Sequence, residues 1–317
     1  MVKVIQTDRR SAVLTPSNLA CLSHMPTINL TSGCAHSCVY CYTRGYSTHP
    51  GENKVILYRN TLDKLKSELA HKRIKPKAVY FSPSSDLFQP VPEVLELGYH
   101  VLDFLFSQDI GVAFLSKGHI PEKTMKLFLD NANKVKAQIG ITTLDESNQR
   151  RFEPHAASPG VRIEQITRLI AGGIATEARL DPVLPGLTDT PDGLQQLFSA
   201  LVKAGIKRVA VSTLFLRSSV LESLKRNVQN AELLHRLLDF YSEAKRMAIH
   251  AERSYVITLP GPVRKEIYER IGRIAEEYGI EQAICACKNP DLAHGTCNIG
   301  GNWPRHETQR DLLEKMD

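Results

Sequence analysis

Six short β-branched or apolar runs alternate with helix-period stretches between residues 28 and 217, and no other feature limits the fold as strongly. The strand candidates span residues 28–31, 78–82, 112–116, 138–143, 175–184 and 208–215. In the gap between the second and third candidates, Val91, Val94, Leu95, Gly98, Val101, Leu102 and Leu105 share one face. Thr190 and Pro191 read as the N-cap and first residue of another helix. A third starts at Arg162 and stops at Gly172-Gly173. Strands that each lead into a helix imply an α/β chain with a parallel sheet and right-handed crossovers. Six such units are too few for an eightfold barrel, so an open, partial (β/α)6 TIM-type barrel is expected.

The barrel is expected over residues 25–217, between an N-terminal segment (1–24) and a C-terminal α-rich extension (218–317). In the extension, a long amphipathic helix over 221–249 places Leu224, Val228, Leu234, Leu238 and Tyr241 near one stripe. A short strand and a turn at Pro260-Gly261-Pro262 follow. The next helix carries Val263, Ile267, Ile271 and Ile274 and ends at Gly279.

Just after the first strand comes Gly33-Cys34-Ala35-His36-Ser37-Cys38-Val39-Tyr40-Cys41-Tyr42. Its C-x3-C-x2-C spacing offers three thiolates. A closed four-iron cubane needs four ligands, so three leave one iron open for another molecule. A closed zinc site would also want a fourth ligand, and His36 stands between the cysteines to supply it. The loop lies at the C-terminal end of a strand, where ligands gather in parallel α/β folds.

This motif, with its aromatic residue before the last cysteine, resembles the signature of the radical S-adenosylmethionine (SAM) enzymes. Further blocks extend the resemblance to the branch that includes spore photoproduct lyase. They are Phe81-Ser82-Pro83-Ser84-Ser85-Asp86-Leu87-Phe88-Gln89-Pro90, Leu115-Ser116-Lys117 and Ile141-Thr142-Thr143-Leu144-Asp145. Phe152-Glu153-Pro154, Ser158-Pro159-Gly160-Val161-Arg162 and Leu180-Asp181-Pro182-Val183-Leu184-Pro185-Gly186-Leu187-Thr188-Asp189 come next, so the blocks cover about 28–190 in order. The lyase carries a hydrogen-donating cysteine in the first of these blocks. None stands there here, so the resemblance is to the branch and not to the lyase itself.

The resemblance implies a [4Fe-4S] cluster on Cys34, Cys38 and Cys41, with SAM chelating the open iron through its amine and carboxylate. One-electron reduction would then cleave SAM to a 5′-deoxyadenosyl radical that takes hydrogen from substrate. It also implies an electron donor such as flavodoxin or ferredoxin. Ser84, Ser85 and Asp86 are candidates for the SAM amine, and Lys117, a compact point charge, for its carboxylate. Thr142 and Thr143 are candidates for the ribose or methionyl part, Arg179 for carboxylate or ribose, and Tyr42 and Val183 for the adenine. Each also has an ordinary reading: strand-end Ser and Thr cap helices, Asp86 and Lys117 form a surface pair, and Glu153 orients Arg162.

A second cysteine group, Cys285-Ala286-Cys287 and then Cys297, has C-x-C-x9-C spacing. It reads as an auxiliary cluster (a second [4Fe-4S] cluster), as a zinc site completed by His294, or as plain thiols of which one donates hydrogen. Trp303 is expected to plug the extension onto the barrel, and Cys21 to be a small buried residue.

The start of the chain has no hydrophobic signal core, and no stretch is apolar enough to span a membrane. Seven cysteines without an export signal read as metal ligands in a reducing cytoplasm, not as disulfides. A formal charge of +6 permits a nucleic-acid partner without arguing for one. Two further readings therefore stand beside the radical enzyme of unidentified substrate: one that modifies or repairs nucleic acid, and a non-enzymatic iron–sulfur or zinc protein that senses redox state or binds nucleic acid.

Overall fold

The computed structural model describes residues 2–17, 22–23, 25–249 and 254–295. Cys21, Cys297 and Trp303 lie outside them. The chain opens with β1 (Lys3–Thr7), β2 (Thr27–Ile28), β3 (Thr31–Ser32), β4 (Lys54–Tyr58) and α1 (Thr61–Ala70). Then come β5 (Ala78–Phe81), α2 (Pro92–Ser107), β6 (Gly111–Ser116), α3 (Glu122–Leu129), β7 (Val135–Gly140), α4 (Glu146–Phe152) and α5 (Pro159–Ala171). β8 (Ala175–Val183), α6 (Pro191–Lys203), β9 (Arg208–Thr213), α7 (Ser218–Asn227) and α8 (Ala231–Asp239) follow. β10 (Lys245–Ile249), β11 (Ser254–Thr258), α9 (Gly261–Glu277) and β12 (Glu281–Ile284) end the described chain.

Seven strands form one parallel sheet in the order β12-β9-β8-β7-β6-β5-β2. Six of them are the expected barrel strands. The seventh, β12, comes from the C-terminal extension and pairs with β9, so the extension completes the sheet as well as packing on it. The first expected strand splits in two. β2 joins the large sheet, while β3 pairs antiparallel with β4 in a small sheet that also holds β1. The expected strand at 138–143 runs instead from Val135 to Gly140, because Val135 and Ala137 take buried places and the chain leaves the sheet after Gly140.

The long helix expected over 221–249 is not formed. α7 stops at Asn227, and Asn230 caps α8 by accepting a hydrogen bond from the Leu233 amide. Residues 245–249 form β10, half of an antiparallel hairpin with β11. Leu224, Val228 and Tyr241 of the expected stripe are buried, but α8 buries Leu233 and Leu237 and leaves Leu234 and Leu238 only partly buried, so the break shifts the apolar face by one residue. Among the described residues, no helix is long and apolar enough to cross a membrane.

Alternation along the strands separates two packing zones. Val79, Phe81, Val112 and Phe114 join the main core under the helices, where the Phe114 and Phe128 rings stack with centroids 5.3 Å apart. Truncating a buried phenylalanine in such a core costs about 3–5 kcal/mol. Their neighbours Ala78, Tyr80 and Ala113 join Ala210 of β9, Leu22, Met25 and Cys285 in a second, smaller cluster. Small side chains on β6 and β9 leave room there for the segment after β12.

Candidate active site at the C-terminal edge of the sheet

The cysteine loop is fixed by side chains from several elements. Gly33 turns it with a φ of +80°, and a Cβ there would sit 2.6 Å from the Lys54 carbonyl oxygen, so only glycine fits. Gln89, fully buried, accepts a hydrogen bond from the Ala35 amide at 2.9 Å and donates to Thr31 Oγ1 at 2.9 Å. Arg44 donates to the carbonyls of Ser37 and Cys38, each at 3.2 Å. The Val39 amide donates to the Phe152 carbonyl at 3.0 Å, tying the loop to the end of α4.

Cys34, Cys38 and Cys41 are free thiols, each partly buried. Burial and the nearby Asp86 carboxylate push the Cys34 thiol well up. Burial and Glu153 push Cys38 up to about 12. Buried thiols beside carboxylates need positive charge to ionise, and iron supplies it; thiolate is the form that binds metal. The donor set therefore fits an iron–sulfur cluster. His36 has other partners. Its Nδ1 is 3.0 Å from the His155 carbonyl oxygen, and its Nε2 lies 3.3 Å from Asp86 Oδ2 without hydrogen-bond geometry. Among the described residues, no three His, Cys, Asp or Glu side chains converge to hold a single metal ion.

Asp86 is a hub of the strand ends. Its oxygens accept from the Phe88 amide (2.8 Å), Ser116 Oγ (2.7 Å) and the Lys117 amide (2.9 Å). Burial opposes the charge, but His36 and these hydrogen bonds outweigh it and hold the carboxyl below its ordinary range. Ser84 donates to Asn29 Oδ1 at 2.9 Å. Ser85 and Ser82 differ: their hydroxyl oxygens are buried and have no hydrogen-bond partner. Ser82 also holds a left-handed backbone, with φ of 55°.

Lys117 reaches inward. Its Nζ donates to Tyr40 Oη at 3.0 Å and to the Asp181 carbonyl at 2.9 Å, and lies 3.5 Å from Glu153. Gly140 makes room, since a Cβ there would come within 2.9 Å of Lys117 Cγ and Cε. Glu153 also receives Tyr40 Oη and Arg162, and Arg162 donates to the Gly140 carbonyl at 2.8 Å. Burial opposes the Glu153 charge, yet Lys117, Arg162 and the hydrogen bonds hold the carboxyl at about 2.

The remaining candidates divide. Arg179 pairs with Asp181 at 3.0 Å, close to the Lys117 contact. Thr142 is buried, and Thr143 Oγ1 accepts the Asp145 amide at 3.0 Å, at the start of α4. Tyr42 is 41% exposed and donates to the Pro83 carbonyl, while Val183 is packed in the main core.

Behind β12 the chain turns over the barrel mouth. Cys285 is buried against Tyr80, Ala113 and Ala210, and Cys287 is partly buried beside the same cluster. Lys288 reaches Asp181. The His294 backbone pairs with Ile284. Tyr40, Asp181 and Lys288 had no assigned role from the sequence. Tyr40 stands out as the aromatic before Cys41 and Lys288 as the neighbour of Cys287, but nothing in the spacing joins Lys288 to Asp181.

Residues 28–198, more than half of the chain, match the profile of the radical SAM superfamily, and the chain belongs to that superfamily. Membership implies the [4Fe-4S] cluster and the SAM of that class. Among its relatives is the uncharacterized protein Rv2578c of Mycobacterium tuberculosis, 28% identical over 66% of this chain and 64% of that one. The radical SAM Nalpha-GlyT isomerase of Pseudomonas phage M6 is 24% identical over 80% of this chain and 51% of its own length. The chain thus spans just under two thirds of the mycobacterial relatives it matches. A spore photoproduct lyase variant with bound AdoMet and dinucleoside spore photoproduct has the same fold. It gives a TM-score of 0.66 at 16% identity, over 88% of this chain and 81% of that chain.

Proposed function

We propose that Cys34, Cys38 and Cys41 hold the SAM-binding [4Fe-4S] cluster and that the enzyme abstracts a hydrogen atom from a substrate at the barrel mouth. The pinned loop with three partly buried free thiols carries this reading. When bound, the reduced cluster supplies the electron that cleaves SAM to methionine and the 5′-deoxyadenosyl radical. Gly33, Gln89 and Arg44 fix the loop in advance, so little reorganisation is left for cofactor binding. The orphaned hydroxyls of Ser82 and Ser85 suit an ammonium group, because a ligand donor would relieve their burial. Lys117, with Arg179 beside Asp181, supplies positive charge for the SAM carboxylate. Tyr40 and Glu153 position Lys117.

Cys285, Cys287 and Cys297 are proposed to bind an auxiliary cluster at the barrel mouth. The burial of Cys285 beside Cys287, over the lumen, supports a metal that faces substrate. A nucleic-acid component is the second substrate reading. Its support is the dinucleoside in the solved neighbour of the same fold. The test is anaerobic reconstitution followed by measurement of 5′-deoxyadenosine from SAM. Wild type forms it and Cys38→Ala does not; formation by the variant rejects the assignment.

A further inference from the structure

A cleft of about 890 Å³ opens between α4, the α7–α8 junction and the outer side of the cysteine loop. Ser37 and Val39, the two neighbours of Cys38, line its floor. None of the three cysteines lines it, nor do Ser84, Ser85, Lys117 or Arg179. It is therefore separate from the proposed SAM pocket while sharing a wall with the loop that holds the thiols.

The cleft is basic. Arg44, Arg150, Arg151 and Arg226 line it, against the single carboxylate of Glu52. Arg44 is the inner member, with its side chain 8% exposed, and it grips the Ser37 and Cys38 carbonyls while pairing with Glu52. The other three form a rim with exposed or weak partners. Arg150 pairs with Glu146 at 2.7 Å in an exposed i,i+4 pair, and Arg151 bonds Asn148 at 3.0 Å. Arg226 lies 3.8 Å from Glu52 and is 62% exposed. Exposed pairs of this kind contribute little and exchange readily for a partner's carboxylates.

We infer that this cleft docks an acidic one-electron carrier protein, with Arg150, Arg151 and Arg226 as the recognising charges. The inference rests on the proposed cluster at Cys34, Cys38 and Cys41. SAM cleavage takes one electron per event from outside the protein: the carrier's flavin or iron–sulfur group is oxidised by one electron as the loop's cluster is reduced by one. The barrel mouth is reserved for SAM and substrate, and water exclusion there favours closure. A carrier on the outer side approaches through the Cys38 backbone without opening that mouth. Complementary charge steers such an encounter and makes it salt-dependent.

The test uses anaerobically reconstituted holoprotein and its Arg150→Glu/Arg151→Glu/Arg226→Glu variant. Iron content and circular dichroism check that the variant is intact. Flavodoxin, an acidic carrier, is the probe. Its affinity for immobilised holoprotein is measured at low and high salt, and 5′-deoxyadenosine formation is followed with reduced flavodoxin and with dithionite. The variant is expected to lose roughly tenfold or more in flavodoxin affinity, and to raise the KM for flavodoxin similarly. Wild-type affinity should fall with salt. Dithionite, which needs no docking, should drive both proteins equally. Unchanged flavodoxin affinity and KM in the variant overturn the inference. So does loss of single-stranded oligonucleotide binding with flavodoxin binding intact, which would make the cleft a phosphate-backbone surface. Failure of the cluster reading looks different: wild type then forms no 5′-deoxyadenosine even with dithionite.

Discussion

Lys288 Nζ sits 2.6 Å and 2.7 Å from the two carboxylate oxygens of Asp181, a residue 107 positions earlier at the end of β8. Arg179 shares the same carboxylate at 3.0 Å. The contact closes the segment after β12 over the barrel, with Cys285 and Cys287 just before it. Burial alone would raise the Asp181 pKa, but Lys288 and Arg179 outweigh it and hold the group below the ordinary carboxylate value.

Lys288→Ala should therefore cost about 1.5–3 kcal/mol of stability near neutral pH, the usual value of a charge-assisted contact. The sign of its pH dependence follows from the lowered pKa. A carboxyl held below its unfolded value stabilises the fold above that value, and the gain disappears as pH falls through the folded pKa. The stability gap between wild type and Lys288→Ala should thus narrow between about pH 7 and about pH 3. Urea titrations at the two values measure it. A gap that stays constant would show that Lys288 acts through packing alone.

Glu153 joins Lys117, Arg162 and Tyr40 in one buried network. Removing one partner from such a group leaves uncompensated charge, so Glu153→Ala should lose about 3–5 kcal/mol. Glu153→Gln keeps an acceptor for Arg162 and should lose less. Equal losses in the two variants would mean that the negative charge, not the hydrogen bond, does all the holding.

Lys117→Ala should weaken SAM binding roughly tenfold or more, as expected when a charge-assisted contact is lost, with cluster content unchanged. Gly140→Ala tests the same side chain from outside. A Cβ at Gly140 comes within 2.9 Å of Lys117 Cγ and Cε, so the Lys117 side chain must shift. The two variants should show similar losses in SAM affinity by equilibrium dialysis. A normal affinity in Gly140→Ala beside a weak one in Lys117→Ala would show that Lys117 works from more than one position.

The residues that were legible in the sequence are those whose signal is local. The cysteine spacing survives in any fold, and barrel strands such as 112–116 and 208–215 carry long buried runs. β12 leaves no clear sequence signal, because Glu281-Gln282-Ala283-Ile284 is short and half polar; its place comes from pairing with β9. Helix-spaced apolar residues on both sides of 227–230 make one long helix of the sequence, whereas α7 ends at Asn227 and Asn230 caps a new one. Asp86 is a sequence candidate for the SAM amine, and the fold adds donors from Phe88, Ser116 and Lys117 that no spacing shows. Spacing reports residue type at a strand end but not which donors the fold will bring there. The Lys288–Asp181 pair is illegible for the same reason, since its partners meet only after the sheet is complete.

The last prediction concerns the second cysteine group. If Cys285, Cys287 and Cys297 bind an auxiliary cluster, reconstituted protein should hold close to twice the iron of a one-cluster protein. The Cys285→Ala/Cys287→Ala/Cys297→Ala variant should lose half of it. It should still cleave SAM slowly without substrate, because the proposed first site stands on a different loop with its own supports, Gln89 and Arg44. Turnover of the true substrate should vanish, since the metal over the lumen would be gone. Iron, sulfide and zinc assays on both proteins decide the matter. Stoichiometric zinc with one cluster's worth of iron would instead give a structural site completed by His294. No metal beyond the first cluster would leave plain thiols. Cys285, buried against Tyr80 and Ala210, would then be the hydrogen donor to test by deuterium transfer from solvent.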